Sequence, residues 1–256
     1  MATSVPDFPS ILNKNLDVNL YYITGASSGL GKALASIALE AGDIVMGISR
    51  HCTIKDPHYT HQKEDLGNTD SLKEFQFAEP PRHEQFESIT LINNAAIVEP
   101  VGYVGELETE DIIHTINLNL TAVVVLSNIF VKQFADFKGR KAIVNITSGA
   151  ASYPVDGWSV YCSTKAGVNM FTRVAALEAE KKGIAVDFAA IAPGIVDTPM
   201  QKIIRSADKS DFSRKEEFVH YKESGQLTAP ETAARRIIRA LNELNRKTDV
   251  VFSVKK

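Results

Sequence analysis

Thr24-Gly25-Ala26-Ser27-Ser28-Gly29-Leu30-Gly31 is the stretch that decides how this 256-residue chain folds. An apolar run, Leu20–Ile23, precedes it, and a helix-forming run, Leu30–Glu40, follows it. A glycine-rich turn between a buried strand and a helix does three things that side chains would obstruct. It admits positive φ, lets the backbone approach a pyrophosphate, and allows the helix to pack close to its strand. The free N–H groups at the helix start then face the phosphates. The spacing is G-x-x-x-G-x-G, not the G-x-G-x-x-G of the general dinucleotide fingerprint.

Outward from the turn, short apolar runs recur at Ile44–Ile48, Ile89–Ile92, Ala142–Ile146, Ile184–Ile191 and, more weakly, Val250–Val254. Runs this short and this continuous suit strands covered on both faces of a parallel sheet. Helical stretches at Glu108–Phe137, Ser159–Lys182 and Glu231–Leu244 separate the later runs. The alternation predicts right-handed crossovers and an α/β, doubly wound parallel sheet of the Rossmann type, three layers deep. One domain over residues 1–256 is expected, with 1–17 a loose leader and 199–227 a mobile insertion over the site. Lys209–Glu217 reads as a solvated helix face within that insertion. Phe75, Phe77 and Phe86 read as helix-packing residues. His58 and His61 fall in a polar edge strand without a third ligand nearby, so no metal is expected.

Composition narrows the partners. The chain has 28 basic and 31 acidic residues, a net charge of -3, which offers no footprint for nucleic acid or an anionic membrane. Its two cysteines, Cys52 and Cys162, form no C-x-x-C pair and suit a reducing compartment. The opening MATSVPDFPSILNKN lacks the pattern of a secretory signal, and no apolar run approaches the ~20 residues of a membrane span. A cytoplasmic protein acting on a small molecule is the expectation.

At the end of the second strand stands Ile48-Ser49-Arg50, with no acid to bond a ribose hydroxyl. A carboxylate there would repel a 2′-phosphate, whereas Arg50 can pair with one bidentately. The expected cofactor is therefore NADP(H), with Ser49 and Arg50 among its contacts. Three further segments carry chemistry. Thr147-Ser148-Gly149-Ala150 follows the strand Ala142–Ile146. Tyr161 and Lys165 lie four residues apart, on one face of a helix. Asn117-Leu118-Asn119-Leu120-Thr121 sits inside a long helical stretch.

In this order the motifs resemble those of the short-chain dehydrogenase/reductase family, over residues 20 to 200. The resemblance implies that Gly25, Ser27, Ser28, Gly29, Leu30 and Gly31 cradle the cofactor, and that Asp65 and Leu66 contact its adenine. It adds Asn94, Ala95 and Ala96, where Ala96 replaces the family's glycine, and the segment Pro193, Gly194, Val196 and Thr198 against the nicotinamide. It implies a catalytic set of Ser148, Tyr161, Lys165 and Asn119. Ser148 holds the carbonyl oxygen and Tyr161 supplies the proton. Lys165 favours the tyrosinate and bonds the cofactor's ribose, while Asn119 links Lys165 to solvent through a water.

Hydride delivery to a carbonyl leaves an oxyanion, which needs these donors. Lowering a tyrosine from ~10 to about 7 takes roughly 4 kcal/mol of differential stabilisation. The family also implies a homodimer or homotetramer built through the helices Glu108–Phe137 and Ser159–Lys182.

Pro154-Val155-Asp156-Gly157-Trp158-Ser159-Val160-Tyr161-Cys162 and Ala192 to Gln201 are similar to the sepiapterin reductases and their microbial relatives, the benzil reductases. Sepiapterin reductases hold the pterin with an acid in their closing strand. Here Val250–Val254 has none, and Phe252 takes that place. Apolar Val155, Trp158, Ile195 and Met200, beside Ser148, suit an aryl or alkyl 1,2-diketone reduced to a hydroxyketone. The alternatives are a pterin reductase and a catalytically silent nucleotide sensor on the same fold.

Overall fold

The computed structural model describes residues 18–80, 86–244 and 249–254, so the 1–17 leader lies outside the described residues. Seven strands form one all-parallel sheet: β1 (Asn19–Thr24), β2 (Ile44–Ser49), β3 (Tyr59–Lys63), β4 (Ser88–Asn93), β5 (Arg140–Ile146), β6 (Asp187–Ala192) and β7 (Val251–Ser253). Their order across the sheet is β3-β2-β1-β4-β5-β6-β7. Around it lie α1 (Gly29–Glu40), α2 (Thr69–Lys73), α3 (Thr109–Ile116), α4 (Ala122–Gln133), α5 (Ser159–Lys182), α6 (Pro199–Ser206), α7 (Lys215–Glu223) and α8 (Pro230–Asn242). This is the doubly wound Rossmann-type arrangement that the alternation of runs predicts.

The strands read as continuous apolar runs because both faces are covered. Along β1 successive side chains part company: Tyr21 and Ile23 pack with Leu34, Ala234 and Ile237 of α1 and α8. Leu20 and Tyr22 pack with Leu126 and Phe130 of α4 on the other face. From β1 the chain winds first to β2 and β3, then crosses to β4 on the opposite side. The crevice at the carboxyl ends of β1 and β4 is therefore the switch point where ligands bind in such sheets.

Several boundaries differ from the sequence expectation, each for a local reason. The run Ile184–Ile191 yields a strand only from Asp187. Gly183, at φ 66°, closes α5, and the Ile184 N–H returns to the Ala179 carbonyl, so the first residues of the run cap the helix. The stretch Glu108–Phe137 is interrupted by a π-helical turn, Asn117–Thr121, and stops at Gln133. The buried Lys141 ammonium donates to the carbonyls of Phe134, Ala135 and Phe137 just beyond that stop.

Thr109–Gln133 is long and apolar enough to cross a membrane by composition, with hydropathy reaching 1.5, although no single run suggests it. Within it Leu126 and Phe130 are buried against the sheet, while Ile113 and Ile116 are exposed. Residues 199–227 contain α6 and α7, which dock on an aromatic cluster. Phe77 packs edge-on against Tyr22 and Phe130, with Phe75 and Phe86 in the same core. His58 and His61 flank the start of the edge strand, and the His61 imidazole is engaged by the Ser49 carbonyl at 2.9 Å.

Candidate active site

Gly25 and Gly29 adopt φ of 68° and 52°, values that favour glycine. A Cβ on Gly31 would lie 2.3 Å from the Gly25 carbonyl oxygen, so helix and turn can meet only if position 31 has no side chain. Ser28 caps α1 without a side-chain hydrogen bond, and no acid stands in the first turn. An uncapped helix start facing a glycine cradle fits a phosphate, and a dinucleotide fits the residues present.

Thr24 locks the neighbouring loop in place. Its hydroxyl accepts the N–H groups of Asn94 and Ala95, both at 2.9 Å, and its carbonyl accepts the Asn94 amide. Deeper, Asn93 donates to Asn145, and Asn145 to Thr172 of α5, both at 2.9 Å. This ladder ties β4 and β5 to the helix that carries the chemistry. The role of Asn145 in it is invisible in the sequence.

Asn119 is fully buried, and its side chain is consumed by local bonds. It accepts from the Ile97 N–H at 3.0 Å and donates to the Ile97 carbonyl at 2.8 Å and to Thr164 at 3.4 Å. The side chain thus positions the loop after Ala96.

Tyr161 and Lys165 lie on one face of α5, both buried. The Lys165 ammonium donates to the Ile146 carbonyl at 2.8 Å and sits 5.9 Å from the Tyr161 ring centre. Burial pushes Lys165 down to about 8. Burial also pushes Tyr161 up to about 12, with the Ser148 hydroxyl pulling partly the other way. Desolvation of the phenolate is the largest cause of the Tyr161 shift. The Tyr161 ring is braced edge-on by Trp158 at 5.7 Å.

These groups open on a cleft of about 430 Å³. Gly25, Ser27, Ser28, Gly29 and Leu30 form its floor, and Ser49, Arg50, Asp65 and Leu66 one end. Asn94, Ala95, Ala96, Ser148, Tyr161 and Lys165 continue the wall, with Pro193, Gly194, Val196, Thr198 and Met200 opposite.

Gly31 lies behind the cradle, and Asn119, Val155, Trp158 and Ile195 also stand off the wall. Trp158 is stacked on Phe212 at 5.1 Å, inside an aromatic cluster that holds Val155 at its edge. Phe252 pairs with Ile191 and packs into the core beside α8, away from the cleft, so the closing strand says nothing about a pterin anchor. Wall residues that sequence reasoning missed include His51, Glu99, His114 and Ile203. None lies in a motif, so only the fold could reveal them. One buried Glu99 carboxylate oxygen has no hydrogen-bond partner among the described residues.

Comparison with known proteins agrees with this geometry. The family model for short chain dehydrogenases matches residues 19–209. A benzil reductase ((S)-benzoin forming) of Bacillus subtilis is 42% identical over 230 residues, 88% of this chain and 94% of that one. A sepiapterin reductase of Mus musculus is 31% identical over 242 residues, 86% of this chain and 90% of that one. The crystal structure of a short chain dehydrogenase/reductase from Saccharomyces cerevisiae superposes with a TM-score of 0.77 at 25% identity, covering 93% of this chain and 96% of that one. With a family model running from β1 past α6, and a relative matched over nearly its whole length, the chain belongs to the short-chain dehydrogenase family, oxidoreductases that work with a nicotinamide cofactor.

Proposed function

We propose that the protein is an NADPH-dependent carbonyl reductase that converts a 1,2-diketone of the benzil kind to its hydroxyketone. The observation that carries this reading is the convergence of Ser148, Tyr161 and Lys165 on one cleft with the glycine cradle. A bound nicotinamide dinucleotide supplies the hydride. Ser148 orients the carbonyl oxygen, and Tyr161 gives that oxygen its phenolic proton as negative charge builds. The Lys165 ammonium favours the tyrosinate left behind. A tyrosine pushed up to about 12 is fully protonated at neutral pH, the state that reduction needs.

Met200 and Ile203 of α6 give the substrate end an apolar wall, which suits aryl groups. The 42% identical relative named a benzil reductase supports the same choice. One observation favours a pterin as second reading: Glu99 sets a carboxylate in the cleft, an acceptor for an amino-pyrimidine. Initial rates on benzil and sepiapterin decide between them. Benzil is expected to show kcat/KM about tenfold or more above sepiapterin. A clear preference for sepiapterin transfers the assignment to the pterin, and no NADPH oxidation with either leaves a silent sensor.

The chain is read as one domain, with 199–227 as the substrate-end wall. Both cysteines are free, which supports a cytoplasmic location. A homodimer or homotetramer through the Glu108–Phe137 stretch (α3 and α4) and α5 is supported by an exposed apolar stripe: Met170, Val174 and Leu177 on α5, at 59, 43 and 49% exposure. Ile113 and Ile116 extend it on α3. A contiguous apolar patch of this kind marks an association surface. Val174→Glu is expected to shift the protein from oligomer to protomer in sedimentation. A wild-type chain that already sediments as a protomer rules the interface out.

A further inference from the structure

We propose that Asp156 is a positioning residue that sets the substrate end of the cleft without touching substrate, an inference that rests on the reading of that cleft as a carbonyl-reducing site. Three segments far apart in sequence meet there: the loop after β4, the loop between β5 and α5, and the connection from α6 to α7. The first two are joined through backbone, with the Gly102 N–H on the Gly157 carbonyl at 3.0 Å. A single Asp156 carboxylate oxygen then accepts the Tyr103 hydroxyl at 3.1 Å and the Ser213 N–H at 2.9 Å. Both bonds are charge-assisted.

The contact beneath this bond pair is tight. Gly157 has φ 71°, and a Cβ there would lie 2.2 Å from the Asp211 carbonyl oxygen. Next to it Trp158 stacks on Phe212, which is fully buried. The segment pinned by Asp156 follows α6, whose Met200 and Ile203 line the cleft, and leads into α7. The glycine cradle stands on other elements, whereas Ser148 shares the β5–α5 connection with Asp156, and Tyr161 and Lys165 lie on the helix which that connection enters. Release of Asp156 loosens the substrate wall and leaves cofactor binding in place.

Trp158 is the only tryptophan in the chain, so its fluorescence reports the latch without any substrate. Asp156→Ala is expected to raise acrylamide quenching of Trp158 about twofold and the KM for benzil about tenfold. The Kd for NADPH should stay within about twofold and kcat should fall less than KM rises; the tenfold change is modest for two lost bonds because both are solvent-exposed. Asp156→Asn keeps an acceptor oxygen and should restore quenching and KM to near wild type. Tyr103→Phe removes one arm and should fall between.

Unchanged quenching and KM in Asp156→Ala overturn the proposal. So does a parallel loss of kcat, KM and NADPH affinity in Asp156→Ala and Tyr103→Phe together, which signals general unfolding. If benzil is not turned over at all, the proposed function fails, and the quenching series still decides the latch.

Discussion

Tyr161→Phe is expected to lower turnover about a thousandfold while NADPH affinity stays within about twofold, the size of effect a positioned general acid supplies. The substitution keeps the ring against Trp158 and removes only the hydroxyl and its contact with Ser148, so the fold should hold. Its pH dependence should carry a second signature. Lys165 is held down at about 8 by burial, so its ammonium is present below that value and lost above it. Tyr161 keeps its proton throughout this range. The wild-type rate of reduction should therefore be flat below pH 8 and fall as pH rises through it. Lys165→Met should remove that limb along with most of the rate. If Tyr161→Phe retains more than a tenth of wild-type turnover, Tyr161 is not the acid.

The features legible in the sequence are those encoded locally. Thr24 to Gly31 announces its strand, turn and helix because glycine is needed at adjacent positions, and Tyr161 and Lys165 share a face by the helical repeat alone. Features that depend on distant partners were not legible. Phe212 and Phe218 are isolated aromatics in a charged run, yet they pack around Trp158 and tie their segment to it. Trp158 consequently braces Tyr161 edge-on. Asn119 sits in a π-helical turn that aims its amide at the Ile97 backbone, a partner its spacing does not announce. Phe252 showed the same limit: a three-residue strand gives too little pattern to fix which way its side chains point.

Cofactor choice is the other large effect, and NADPH is expected to exceed NADH in kcat/KM by roughly ten- to a hundredfold. Ser49 does not offer its hydroxyl freely, as the sequence suggests, because it is buried and donates to the His51 carbonyl at 2.8 Å. Its contribution is the absence of a carboxylate, which leaves room for a 2′-phosphate. Arg50 supplies the attraction: it is exposed, lines the cleft, and has no hydrogen bond or ion pair to another described residue. One charge-assisted contact is worth on the order of 1.5–3 kcal/mol, which sets the expected ratio. His51 lines the same end and adds a second donor where the glycine turn, with Ser28, has no basic residue.

Ser49→Asp would place an anion beside the phosphate, held there by the His61 imidazole that already lies 3.3 Å from the Ser49 hydroxyl. That variant should erase or reverse the preference. Arg50→Ala should weaken NADPH about tenfold or more and leave NADH within about twofold. The measurement is kcat/KM for both cofactors in all three proteins. Equal values in the wild type, or an Arg50→Ala variant that loses both cofactors alike, would show that the end of β2 does not select the 2′-phosphate.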